Sequence, residues 1–248
     1  MNGPKLTSFA AGWLASQPAF ASHSRARRRS LGAGSPPEGR VRAFGRPGGT
    51  DMNDVIFEAV VTTVAADGKP HVAPMGVRYR GEQVVLMPFK PSTTHDNIIA
   101  TGCAVLNILV DTRVFAGCVT GRRDWPTLPA EKIECVRLAV ALSHVELRLA
   151  ERIDDAQRPV LHMARVHEAT HSPFAGFNRA QAAVLEGAVL VSRLHMLPAQ
   201  KVDSEMAYLQ IAIDKTAGPQ EHEAWGWLTD AVRRHRAKLE SGANRPLT

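Results

Sequence analysis

Phe57-Glu58-Ala59-Val60-Val61-Thr62-Thr63-Val64 is a nearly unbroken run of apolar and β-branched residues, the composition of a strand. Asp67-Gly68 follows, a dipeptide that tolerates the positive φ angles of a tight hairpin. His71-Val72-Ala73-Pro74-Met75-Gly76-Val77-Arg78-Tyr79 then reads as a second strand, and Arg80-Gly81-Glu82 turns the chain again. Gln83-Val84-Val85-Leu86-Met87-Pro88-Phe89 makes a third strand, and residues 103–110, with Asn107 inside them, a fourth. Between the last two lies Lys90-Pro91-Ser92-Thr93-Thr94-His95-Asp96-Asn97-Ile98, which sets a cation and three hydroxyls at the mouth of a helix. Free backbone N–H groups and the positive end of the helix dipole make such a mouth suited to a phosphate.

Working outward, Pro126-Thr127-Leu128-Pro129 reads as a loop. Residues 130–142 suit a short helix, with Ile133, Val136, Arg137 and Val140 spaced three to four apart. Residues 143–150 and 158–169 form two strands joined across Ile153-Asp154-Asp155. In the first of these Val145, Leu147 and Leu149 alternate with His144, Glu146 and Arg148. From Asn178 the pattern turns helical. Asn178 is a good N-cap, and Ala182, Val184, Leu185, Ala188, Val189 and Val191 follow, up to about Leu197-Pro198. Asp203 or Ser204 opens another helix through Ile213, broken by Gly218-Pro219. Residues 221–239 make a last amphipathic helix with Trp225, Leu228, Val232 and His235 on one side. Strands first and helices afterwards predict an α+β fold, a barrel over residues 52–177 followed by a helical part over 178–248 packed on it.

The 248 residues carry a formal net charge of +6. Lys5, Arg25, Arg27, Arg28, Arg29, Arg40, Arg42 and Arg46 face only Glu38 and Asp51 in residues 1–51, so the whole excess lies there. The remainder is neutral, which argues against a nucleic-acid face. Residues 1–51, rich in Gly, Pro, Ser, Ala and Arg, read as a disordered segment or as an over-extension ahead of Met52. Cys103, Cys118 and Cys135 contain no C-x-x-C pair, which favours a reducing, cytoplasmic setting over disulfides or cysteine-bound zinc. No apolar run reaches the length of a membrane span.

Four pieces of this chain resemble the FMN-binding split-barrel superfamily of flavin reductases, flavoredoxins and pyridoxamine-phosphate-oxidase-like proteins. They are Val72-Ala73-Pro74-Met75-Gly76-Val77, then Pro88-Phe89-Lys90-x-Ser92-x-Thr94-x-x-Asn97, then Pro173-Phe174-x-Gly176-Phe177-Asn178-Arg179-Ala180, and Ser192-Arg193-Leu194-His195. Their order over residues 53–222 is most similar to an uncharacterised branch with a helical C-terminal part. The resemblance implies an antiparallel split barrel, FMN as cofactor, a homodimer, and hydride or electron transfer between a small-molecule donor and acceptor. It further implies that Lys90, Ser92 and Thr94, with Thr93 beside them, bind the phosphate. Asn97 and Asn107 would reach the ribityl chain or ring edge, Met75-Gly76-Val77 would run along the ring, and Asn178-Arg179 would stand near the phosphate. Pro91 departs from the family, where glycine is commoner, and removes one amide donor. No catalytic acid or base is identified. The alternative in another class is a flavin carrier without a substrate pocket.

His167-Glu168-Ala169-Thr170-His171 also matches H-E-x-x-H, the helical zinc-hydrolase motif, for which Glu186 offers a third ligand. Ser172-Pro173 disfavours a helix there, and the residues before it read as a strand. Side chains four apart on a strand lie roughly 13 Å apart, too far to share one ion. No metal site is therefore expected.

Overall fold

A computed structural model describes residues 55–243, with side chains through 241; the expectations for residues 1–51 lie outside the described residues. The first three strands are β1 (Phe57–Val64), β2 (Pro70–Arg80) and β3 (Gln83–Leu86). Helix α1 (Thr93–Thr101), β4 (Cys103–Ile108) and a short helix α2 (Arg113–Val119) follow. A small hairpin, β5 (Thr127–Pro129) and β6 (Val136–Leu138), precedes β7 (Ser143–Ile153) and β8 (Val160–Thr170). The chain ends in α3 (Arg179–Ser192), α4 (Ala199–Thr216) and α5 (Pro219–Ala243).

Six strands close into a barrel in the order β1-β2-β3-β8-β7-β4, each antiparallel to its neighbours. The expected antiparallel barrel followed by helices is what forms. Gly68 and Gly81 take φ values of +84° and +56° at the first two turns, where a side chain would be strained. Side chains alternate across the wall. Ala59, Val61, Val77, Leu106, Leu147 and Met163 meet inside, where Ile98 of α1 joins them. Leu106 is wholly buried, and its replacement by Ala would cost about 2–5 kcal/mol.

The outer face of β1 and β2 is covered as well. Val60 and Val72 pack with Phe115 of α2, Val184 of α3 and Trp225 and Leu228 of α5. A third cluster joins Val64, Cys103 and Val105 to Ile133 and Cys135, which lie in the connection between β5 and β6. Strand β1 is thus apolar on both faces because both faces are buried.

Several sequence expectations are corrected. Residues 130–142 are not helical: Val136–Leu138 pairs with Thr127–Pro129, which is itself a strand and not a loop. Two barrel side chains fix this outcome. Asn107 Oδ1 accepts from Leu138 N at 2.7 Å, and Thr62 Oγ1 donates to Val136 O at 2.5 Å, so tertiary partners override a local helical period. Strand β3 ends at Leu86, helix α4 starts at Ala199, and α2 is a helix inside the stretch expected to build the barrel, residues 52–177.

Candidate functional site

Strand β2 is longer than its neighbour. Its pairing with β1 runs from Pro70 to Val77, but β3 pairs only with Arg78, Tyr79 and Arg80. One edge of the main chain over residues 73–77 therefore lacks a strand partner, while β3 diverges toward Met87-Pro88-Phe89. A cleft of about 430 Å³ opens in this gap. Met75, Gly76, Met87 and Phe89 line it from the barrel, Phe115 and Leu185 from the helices, and Arg123, Arg158 and Arg193 supply positive charge. Arg158 lies over the Phe89 ring, 4.9 Å from its centre. Burial pushes His71, also in this lining, below its ordinary value, and the Arg123 charge adds to the shift. A Cβ on Gly76 would come 2.7 Å from Ile56 Cγ2, so only glycine keeps that wall flat without displacing Ile56. Val77 turns inward and can offer the cleft only its main chain.

The lining residue Phe89 leads directly into the polar loop. Ser92 caps α1 in extended conformation, its hydroxyl accepting from His95 N at 3.3 Å. Thr93 is exposed and Thr94 is buried, and neither hydroxyl bonds another described residue. Lys90 Nζ meets Asp154 Oδ1 at only 3.9 Å. His95, in the same turn, has a buried Nε2 without a hydrogen-bond partner. The mouth of α1 thus gathers a loosely paired cation, two unpartnered hydroxyls and an unpartnered imidazole nitrogen, which is donor capacity suited to an anion. His95 carried no distinguishing signal in the sequence, because its orphaned nitrogen is a matter of tertiary burial.

The asparagines lie differently. Asn97 is buried and donates to Thr63 Oγ1 at 3.0 Å. Asn107 is wholly buried. Its Nδ2 lies within 3.2 Å of Val60 O, Thr62 Oγ1 and Val105 O, and its Oδ1 holds Leu138 N. Asn178 caps α3, accepting from Ala180 N at 2.7 Å, and donates to Thr216 O. The amides of Asn107 and Asn178 are committed to the fold. Arg179 is exposed at the start of α3.

His167 and Glu168 lie on strand β8, and His171 follows it, so the helical zinc motif does not form. Glu186 is exposed on α3. A larger depression of about 1030 Å³ lies beside Cys103, Ile133 and Arg148, at the C-terminal end of α1.

A closed antiparallel barrel with a cleft beside the bare edge of β2, followed by helices, defines a split-barrel protein. Lys90, Ser92, Thr93 and Thr94 follow Phe89 in the chain but are not among the residues that line the cleft. Models of the N-terminal and C-terminal domains of one family, described as proteins of unknown function (DUF447), match residues 57–172 and 178–230. The chain belongs to that family. No curated protein matches it in sequence. Among solved structures it is similar to the FMN-bound protein MM1853 from Methanosarcina mazei, of the same family. That match has 20% identity and a TM-score of 0.62 over 73% of this chain and 96% of that chain. It is also similar to the flavoredoxin of Desulfovibrio vulgaris, with 14% identity over 52% and 77% of the two chains and a TM-score of 0.39. A further match is BorF, the flavin reductase component of a bacterial two-component tryptophan halogenase, at 14% identity over 49% and 84% with a TM-score of 0.42. Among the described residues, no helix is long and apolar enough to cross a membrane.

Proposed function

We propose that this chain binds FMN and acts as an oxidoreductase, passing hydride or electrons between a small-molecule donor and acceptor, as a cytoplasmic homodimer. The observation that carries this reading is the cleft along the bare β2 edge, whose lining residue Phe89 runs along the chain into the hydroxyl-bearing start of α1. A flat ring and a phosphate on one short tether need a flat wall and an anion site side by side. The chain offers Met75-Gly76-Val77 as the wall and Lys90, Ser92, Thr93 and Thr94 as the anion site. A bound flavin supplies the redox chemistry, accepting and releasing one or two electrons. The chain's own residues position it. The free N–H and C=O groups on the β2 edge offer directional bonds to the polar rim of the ring, and Gly76 allows close approach. Lys90 supplies a point charge, and the hydroxyls of Thr93 and Thr94 donate to phosphate oxygens. Arg123, Arg158 and Arg193 favour an anionic reaction partner in the remaining space. The family kinship with an FMN-bound protein supports the cofactor assignment. Exposed Phe174 and Phe177, in edge contact 5.2 Å apart, form an apolar patch of the kind a second copy would cover.

The test is a flavin titration of the protein and its Thr94→Val variant. The side chains are nearly isosteric, and the Thr94 hydroxyl has no partner among the described residues, so the melting temperature of the flavin-free protein should stay unchanged. Loss of a hydrogen bond to a charged phosphate costs about 1.5–3 kcal/mol, an increase in Kd of about 10- to 150-fold. Equal affinity for FMN in the two proteins would remove Thr94 from the site, and no uptake by either would end the flavin reading.

A further inference from the structure

The outward residues of β7, His144 and Glu146, are wholly buried. They alternate with the inward Val145 and Leu147 and lie under the turn that carries Glu131 and Lys132. Buried ionisable groups need partners. Glu146 has them. Glu131 N and Lys132 N donate to its carboxylate at 2.5 and 2.8 Å, and His144 Nε2 lies 3.2 Å from Oε1. His144 Nδ1 is 2.9 Å from His171 Nε2, with the two rings stacked.

His167 stands apart. Its Nε2 is buried and makes no hydrogen bond, although Glu131 Oε2 is only 3.2 Å away. The two groups are close but misaligned for N–H donation. A β-bulge brings His167 here: it pairs with Glu146, whereas Arg165 pairs with Leu147, which leaves Val166 as the extra residue. In a regular register Val166 would face Glu146 and His167 would turn into the barrel. The bulge re-aims the imidazole onto the outer face, beside His144.

One ligating atom each from Glu131, His144 and His167 lie within 4.8 Å of one another. Tetrahedral ligands held at about 2.0–2.2 Å from an ion lie about 3.3–3.6 Å apart, close to the His167–Glu131 separation of 3.2 Å. Glu131, whose side chain is half exposed, can rotate to close the remaining gaps. Two imidazoles and a carboxylate are a donor set for zinc and its neighbours in the first transition row.

We propose that Glu131, His144 and His167 bind a divalent transition-metal ion of the zinc type, with a fourth position open toward solvent. His144 presents one ring nitrogen to the ion and keeps the other bonded, to Glu146 or to His171, which fixes its orientation. The sequence motif pairs His167 with His171; the fold pairs it with His144 and Glu131. The cluster lies toward the C-terminal end of β8, away from Leu161, which pairs with Leu86 next to the cleft. It stands independently of the flavin reading.

The experiment uses tag-free full chain, stripped with a chelator, incubated with zinc chloride, desalted and assayed for metal and flavin content. The wild type, and His222→Gln as an exposed-histidine control, should each retain one zinc per chain. His167→Gln and Glu131→Gln should bind zinc more weakly by more than about 100-fold. Their flavin content and metal-free melting temperature should match the wild type, which shows that they fold. Zinc should raise the melting temperature of the wild type and leave that of His167→Gln in place. A wild type that retains no zinc, or a His167→Gln protein that retains as much as the wild type, overturns the proposal.

Discussion

Replacing Asn107 by Ala separates scaffold from cofactor contact. The side chain is wholly buried between β1, β4 and β6, donating to main-chain oxygens and accepting from Leu138 N at 2.7 Å. Truncation leaves the Leu138 N–H buried and unpaired, at about 1–3 kcal/mol, and removes the Nδ2 bonds, at about 1 kcal/mol net. The loss should total about 3 kcal/mol, which for a domain of this size lowers the melting temperature by about 6–12 °C. Thermal and urea unfolding followed by circular dichroism measure it. Flavin affinity, titrated well below the transition, should hold within about threefold, since a scaffold residue remote from the ligand changes binding by well under 1 kcal/mol. A variant of wild-type stability that loses its flavin would refute the reasoning and return Asn107 to the ligand set.

Gly187→Ala should destabilise the helical layer. Its Cβ would come 2.8 Å from Trp225 Cζ3 and 3.1 Å from Leu228 Cδ1, both fixed in the core. Overpacking of about 2–3 kcal/mol exceeds the gain of about 1 kcal/mol in helix propensity; a higher urea midpoint would contradict this packing. Burial pushes the Cys135 thiol from 9.0 up to about 11, so the thiolate fraction at pH 8 is about one in a thousand. Thiol reagents should leave Cys135 unmodified in the native protein and label it on unfolding, with the native rate rising with pH up to that value. Rapid native labelling at pH 8 would show that the β5–β6 hairpin does not stay closed over it.

Much of the barrel was legible because its signals are local. The run at residues 57–64, the Asp67-Gly68 turn and the alternation of Val145 and Leu147 with His144 and Glu146 each fix a strand within a few residues. The polar start of α1 was legible for the same reason, since the capping Ser92 and its hydroxyl neighbours are adjacent in sequence. The hairpin over residues 127–138 was not. Its conformation depends on Thr62 and Asn107, distant in the chain, and the helical spacing of Ile133, Val136 and Val140 says nothing of them. Asn107 and Asn178 could be read as ligands because a sequence shows that an amide is present, but not whether its hydrogen bonds are already taken. The meeting of Glu131, His144 and His167 was hidden by a single bulged residue, Val166, which no periodicity announces.

Strand β1 has a consequence for how the molecule comes apart. Ala59 and Val61 belong to the barrel interior, and Val60 between them belongs to the helical layer. The strand is a party wall between two rooms. Peeling the helices away wets Val60 and Val72, and opening the barrel removes the surface on which α3 and α5 rest. The barrel keeps its own interior, but its outer β1–β2 wall and the helices share one core, so a chain cut after residue 177 would lay Val60, Val72 and Phe115 open to water. Unfolding should be a single event, with the amides of β1 the last to exchange with solvent.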